Sequence, residues 1–450
     1  MFSHMSVAQR VDLYMQLNSS NSHGQLEASP RVLLTDTDRR PYAARLAMVL
    51  SEAGCDVSAI CSSFGHPLLK TRVIGKAFSY SSFHPLNALT RAIEATEPDI
   101  IVPCDDRGVR HLHELHARAR QEQGNVSNKL AALIERSLGA PDSYSIVSAR
   151  YELLRIAQEE GCRVPNTKLI NTVDDLNACQ VSQPFPWVLK ADETWGGRGV
   201  RIAYTPEEAK KYFGDVSRPF RLRRAVKRMV VNRDPFWMQP WWEGRKPAVV
   251  VQAYVHGRPA NCAVACWEGE LLAGIGVEVV SADGLTGPAS IVRVLNNPDM
   301  ISYAERIARR LHLSGFFGLD FMIEDRTNQA YLIEMNPRCT PLCHLRLGKG
   351  RDMIGGLWAR LSGQPIPDTQ AITENDMIAY FPQAWNSKSE FLESSFQDIP
   401  QDQPELIEEF LRPWPDRSLL YRLTTQVQRV KDFAEVLASK SRPTAAHRDE

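Results

Sequence analysis

Short apolar runs alternate with amphipathic stretches through the first third of the chain. Arg31–Thr35 (RVLLT), Asp56–Cys61 (DVSAIC) and Asp99–Pro103 (DIIVP) read as strands. Between them lie two helical patterns. Pro41–Ala53 carries Ala44, Leu46, Ala47 and Leu50 on one face and stops at Gly54; Pro85–Thr96 is the second. Strand–helix–strand order with short connections predicts parallel pairing, hence a Rossmann-like α/β domain over residues 31–144. Ligands of such sheets sit beyond the carboxyl ends of the strands. That places Asp36 and Asp38 after the first strand, and Cys104, Asp105, Asp106 and Arg107 after the third, as candidates for ligand contact. For Asp105 and Asp106 the competing reading is a cap on the helix Arg107–Arg120. His111, His113 and His116 on that helix read as a solvated face rather than a metal site.

The pattern changes near Ser145. Ser148–Glu160 is helical and ends at Gly161–Pro165, and Thr167–Ile170 and Trp187–Lys190 are strands. Val249–Val255 reads as a buried strand, and Asn261–Cys266, Leu271–Val279 and Ser290–Val294 continue an antiparallel sheet. A helix at Met300–Leu311 precedes two strands in Gly315–Cys339, joined by a polar turn at Asp325–Asn328. After Gly355 the periodicity weakens, and Pro365 and Pro367 suggest a boundary. The expected layout is a mobile segment over 1–30, an α/β domain over 31–144 and a two-lobed α+β domain over 145–365 with an insert at 217–247. A helical extension over 366–450, its end disordered, completes it.

At 450 residues, 43% hydrophobic and 24% charged, the chain has ordinary globular composition. Lysine plus arginine equals aspartate plus glutamate at 53 each, so bulk charge gives no affinity for nucleic acid. No apolar run is long enough to span a membrane, and Met1–Ser20 lacks the pattern of a secretory signal, so a cytoplasmic address is expected. The nine cysteines have no framework spacing and read as reduced core thiols. Cys339, Cys343 and His344 lack a suitably spaced fourth ligand for zinc; Cys343 or His344 lining a substrate pocket is the other reading.

Two segments carry candidate chemistry. In GFFGLDFMIEDRTNQAYLIEMNPRC, Asp320 falls on one strand and Glu334 and Asn336 on its neighbour, with Arg338 close by. Three oxygen-bearing side chains on one face suit a hard divalent cation that also takes phosphate oxygens. In PWVLKADETWGGRGV, an apolar strand delivers Lys190 to a loop containing Gly196, Gly197, Arg198 and Gly199. Glycines let backbone N–H groups approach phosphate, and the lysine adds a point charge. The lysine precedes the glycines, so this is neither a P-loop nor a dinucleotide fingerprint. The insert interleaves Arg218, Arg221, Arg223, Arg224, Lys227 and Arg228 with apolar residues, followed by Phe236, Trp237, Trp241 and Trp242. It reads as a helix packed on its lobe. Peripheral contact of 217–242 with an anionic membrane and a grip on an acidic substrate stay open.

In order and spacing these parts resemble the ATP-grasp superfamily over residues 145–350, with E-M-N-P-R at Glu334–Arg338 the most specific motif. The resemblance implies ATP with Mg2+, or Mn2+ as the alternative ion, the metal being held by Asp320, Glu334 and Asn336. It implies phosphate contacts from Lys190, Gly196, Gly197, Arg198 and Gly199, and adenine bound by Gln252, Ala253, Tyr254 and Val255. Arg338 would face the transferred phosphoryl or acyl group, with Arg293 beside it. Two positions depart from the family pattern: Arg150 stands where a lysine is usual, and Gln252 where the hinge often begins with an acid.

The implied activity is an ADP-forming ligase. It phosphorylates a carboxylate to an acyl phosphate and couples it to an amine or thiol, with the Glu193–Gly199 loop closing to exclude water. Alternatives are a bicarbonate-activating carboxylase or carbamoyl-forming member, and a non-catalytic ATP-binding sensor or scaffold at a membrane. No A-M-K-M carrier motif is present, which disfavours a complete biotin carboxylase. The expected partners are small molecules, and a homo-oligomer stays open.

Overall fold

The computed structural model describes residues 29–412, apart from 63–64, 123, 193–198, 219–221, 223–225, 227–235, 237, 245, 285–286 and 388. Residues 1–28 of the segment expected to be mobile, and residues 413–450 of the expected helical extension, lie outside the described residues.

The four strands β1 (Arg31–Asp36), β2 (Asp56–Cys61), β3 (Ile74–Ser79) and β4 (Ile100–Pro103) form a parallel sheet in the order β3-β2-β1-β4. The central strand β1 buries both faces, which is why RVLLTD is nearly unbroken apolar chain until its carboxyl end. Helices Pro41–Glu52, Pro85–Thr96, Asp106–Glu122 and Asn125–Leu138 accompany it. β3 and the last of these helices were not anticipated: β3 is mostly exposed and so lacks an apolar run.

A second sheet holds β5 (Thr167–Ile170), β6 (Trp187–Ala191), β7 (Val200–Ala203) and β8 (Val249–Ala253), all antiparallel, in the order β5-β8-β6-β7. One face, with Trp187, Leu189, Val249 and Val251, packs on helices Val173–Ser182 and Pro206–Val216. Lys190 and Gln252 point to the other face by strand alternation.

The third sheet holds β9 (Gly257–Trp267), β10 (Glu270–Ala282), β11 (Ala289–Val294), β12 (Gly315–Glu324), β13 (Ala330–Asn336), β14 (Met377–Tyr380) and β15 (Phe396–Asp398). Its order is β13-β12-β9-β10-β11-β14-β15. One face buries Cys262, Phe317, Leu319, Phe321 and Leu332 against helices Arg150–Glu159 and Pro298–Leu311. The other meets the N-terminal helix Pro41–Glu52 and helix Met353–Ser362.

The boundary expected at 365 is thereby corrected. β14 pairs antiparallel with β11 and β15 parallel with β14, so the sheet continues past residue 365 instead of giving way to a helical extension. Their brevity, four and three residues, hid them from a periodicity reading. Helix Pro404–Leu411 then packs Leu406, Phe410 and Leu411 on Ala44 and Met48 of the first helix.

Most of the basic insert lies outside the described residues. Of the rest, Phe236 packs on the N-terminal domain, its ring 4.4 Å from the Arg107 guanidinium and 5.1 Å from that of Arg110, while Trp242 is exposed. No helix among the described residues is long and apolar enough to cross a membrane.

Candidate active site

Asp320 lies directly opposite Glu334 across the β12–β13 pair, and Gly318 opposite Asn336. Between Phe321–Leu332 and Asp320–Glu334 the register slips by one residue, leaving Ile333 as a bulge. The bulge sets the chemistry. In an unbroken strand Leu332 and Glu334 would share a face; here Leu332 is buried in the core while Glu334 joins Asp320 on the cleft side.

Asp320 accepts hydrogen bonds from Asn261 Nδ2 at 2.7 Å and Asn336 Nδ2 at 3.2 Å. Burial, with the neighbouring Glu334 charge, pushes its carboxyl up to about 6. Two acids are therefore held together in low dielectric with neutral amides on Asp320. Each carboxylate oxygen keeps a spare lone pair. That donor set, two carboxylates and an amide, fits a hard cation that completes its shell with phosphate and water. Among the described residues no group of three or more His, Cys, Asp or Glu side chains is placed for a metal, so the cage depends on the amide and on outside ligands.

Two cations, Lys190 and Arg150, lie across the cleft. Lys190 is 5% exposed, and its Nζ lies 3.4 Å from the carbonyl oxygen of Ile333, the bulged residue. Burial pushes the amine down to about 8, the Glu334 charge offsetting part of the effect. Arg150 spans Asp192 Oδ1 at 2.6 Å and Glu334 Oε1 at 3.0 Å, yet its buried Nε has no hydrogen-bond partner. Gln252 Nε2 is likewise buried and unpartnered. Unmet donors flanking an acidic cage fit a polyphosphate that carries its own cation. Ala191 N donates to Gly199 O at 3.1 Å where the glycine loop returns; Gly196, Gly197 and Arg198 lie outside the described residues. In the hinge, Ala253 N donates to Asn166 O (2.9 Å) and Tyr254 N to Pro186 O (3.2 Å); Val255 follows the strand.

Arg338 faces the N-terminal sheet. Its guanidinium donates to Asp106 Oδ1 (3.0 Å), Tyr42 Oη (3.3 Å), Asn336 Oδ1 (3.1 Å) and Cys339 O (3.2 Å). Burial works against the cation, but Asp106 and Tyr42 outweigh it and hold its pKa above the ordinary arginine value. Asp105, by contrast, caps its helix by accepting from Gly108 N at 2.8 Å, and also takes Thr37 N and Oγ1. Asp36 is fully buried: it accepts from the amides of Asp38 and Arg40 and faces His66 Nε2 at 3.2 Å. Leu68 N also donates to His66 Nδ1 at 3.2 Å. Asp36 and Asp105 thus shape the loop after β1.

Several expectations are corrected. Arg293 does not join the cage: it sits on β11, three strands from β12, in register with Glu278 and Ala260, on the face opposite Asn261 and Asp320. It pairs with Glu278 at 2.9 Å. The helix histidines are not solvated, since His111 and His116 are buried and His113 stacks on Tyr144 with centroids 4.1 Å apart. His344 pairs with Asp398 at 2.6 Å, and Cys343 Sγ accepts from Thr340 N; both are buried. Sequence reasoning missed Tyr42, Asn261 and Asp192. Only Asn261 carried a visible signal, as the one polar residue in ANCAVACW.

The sequence model of the ATP-grasp domain matches residues 147–341. The carbamoyl phosphate synthase large chain of Xylella fastidiosa strain Temecula1 is 24% identical over 235 residues, 49% of this chain and 20% of that protein. That of Hyperthermus butylicus is 23% identical over 223 residues, 48% of this chain and 19% of that protein. The chain spans about one fifth of the length of these curated relatives. Among solved structures, the biotin carboxylase domain dimer of Hydrogenobacter thermophilus 2-oxoglutarate carboxylase, with MgADP and bicarbonate, superposes with a TM-score of 0.52. Identity is 14%, covering 76% of this chain and 71% of that one. The N5-carboxyaminoimidazole synthase of Aspergillus clavatus, with ADP and its aminoimidazole ribonucleotide, gives 0.52 at 12% identity, covering 76% and 80%. At such identities the likeness shows the fold alone.

Proposed function

Taking residues 147–341 as an ATP-grasp domain, we propose that the chain is an ADP-forming ligase that phosphorylates a carboxylate and couples the acyl group to an amine or thiol. The observation that carries the reading is the facing arrangement of Asp320, Glu334 and Asn336 on one wall and two largely buried cations, Lys190 and Arg150, on the other. Phosphoryl transfer asks the protein mainly for positioning and charge neutralisation. Lys190 and Arg150 supply charge for the phosphates. Asp320, Glu334 and Asn336 would hold Mg2+, which neutralises phosphate charge when bound. Arg338, held by Asp106 and Tyr42, would stabilise charge on the acid or the transferred group. A second reading makes bicarbonate the acid; what supports it is the shared fold with a biotin carboxylase domain solved with MgADP and bicarbonate.

The test is ADP release from MgATP over a panel of small carboxylates, bicarbonate included, with amines and thiols. Wild type should turn over on at least one pair. Glu334→Gln should lose activity by roughly 100-fold or more while melting normally, because Glu334 lies outside the apolar core. Wild-type rates in Glu334→Gln would refute the assignment. Nucleotide binding without turnover on any pair would leave the sensor reading.

A further inference from the structure

Gln252 carries a demand that the protein itself does not meet. The residue is 1% exposed, and its Nε2 has no acceptor. Cross-strand register puts it opposite Val188, whose side chain shares a face with Lys190, on the sheet face turned toward Ile333 and the metal strands. The main-chain donors immediately after it are already used, Ala253 N by Asn166 O and Tyr254 N by Pro186 O. A buried donor is kept unpaired at a cost, so a ligand that fills this part of the cleft gains by bringing an acceptor to it.

Building on the nucleotide reading above, we propose that Gln252 reads the six-position edge of a purine through its side-chain amide and admits 6-oxopurine nucleotides beside adenine nucleotides. At position six adenine presents an N–H donor, whereas hypoxanthine and guanine present a carbonyl acceptor. A carboxylate at this position could only accept, which would favour adenine and repel the 6-oxo group. An amide offers one donor and one acceptor and can rotate to meet either. The unmet N–H matches a 6-oxo group directly and an adenine ring nitrogen equally well. Gln252 is therefore a specificity-determining residue that sets base preference, and it takes no part in phosphate or metal contacts.

The experiment is equilibrium binding by calorimetry with MgADP and MgIDP as probes, on wild type, Gln252→Glu and Gln252→Met, with thermal melting of each nucleotide-free protein. Wild type should bind the two nucleotides within about 5-fold of each other. Gln252→Glu should keep ADP within about 3-fold and weaken IDP by about 20-fold or more, the scale of leaving a buried polar group unpaired against a mismatched ligand. Gln252→Met removes the orphaned donor without changing length, so the nucleotide-free protein should melt higher and bind both nucleotides more weakly. Strong wild-type discrimination against IDP, or an unchanged ADP-to-IDP ratio in Gln252→Glu, overturns the base assignment. Failure of wild type to bind either nucleotide overturns the nucleotide reading and this inference with it.

Discussion

Lys190 shows how burial converts a common side chain into a tuned one. Its amine lies at about 8 against an ordinary 10.5, because burial disfavours the charge more than Glu334 supports it. That displacement corresponds to roughly 3 kcal/mol of folding stability given up at neutral pH. The sign follows from proton counting: between about 8 and 10.5 the unfolded chain binds the proton and the native one does not, so this residue makes stability rise with pH across that window. Nucleotide affinity should move the other way, falling above pH 8 as the cation is lost. Melting and ADP titration from pH 7 to 10, each compared with Lys190→Met, would show both trends vanish in the variant. Lys190 was legible in the sequence as the end of an apolar strand before glycines. Its bond to Ile333 O was not, because that carbonyl is freed by a bulge that no local pattern announces.

Strands explain both the success and the failure of reading site residues from sequence. Alternation placed Glu334 and Asn336 together because they are two apart beyond the bulge, and the pairing with β12 set Asp320 opposite. Arg293 failed by the same rule: which face a residue takes depends on its register with β10, and register is a tertiary property. Ile333 is spare in this sense. Deleting it restores an unbroken ladder with Asp320 still opposite Glu334, whereas deleting Met335 turns Asn336 to the apolar face. A one-residue deletion series through 330–336, scored by melting and ADP binding, should tolerate the first far better than the second. At the start of β12, Gly315 has φ +79°, and a Cβ there would sit 2.5 Å from Ser137 O. Gly315→Ala should cost roughly 1–3 kcal/mol in urea denaturation.

The whole molecule is tied together by buried ion pairs between segments remote in sequence. Asp398 at the end of β15 holds Arg45 of the first helix at 2.5 Å and His344 at 2.6 Å. Burial opposes the charge, but His344 and Arg45 outweigh it and hold the carboxyl at about 2. Its contribution is complete above the unfolded value near 3.8 and is lost as pH falls toward 2. Asp398→Asn should cost roughly 3–5 kcal/mol at pH 7, the scale of stranding a buried cation, with the difference from wild type shrinking in acid. Arg39 makes a similar pair with the fully buried Glu409. None of this was legible, since partners 353 positions apart leave no local trace. It also bears on how the chain comes off the ribosome. The face of the first helix bearing Ala44 and Met48 waits for Phe381, Ile399 and Phe410, which are made long afterwards. Until then an oily seam of the first helix stands uncovered, and the N-terminal unit reaches its final packing only when the last of these residues has been made.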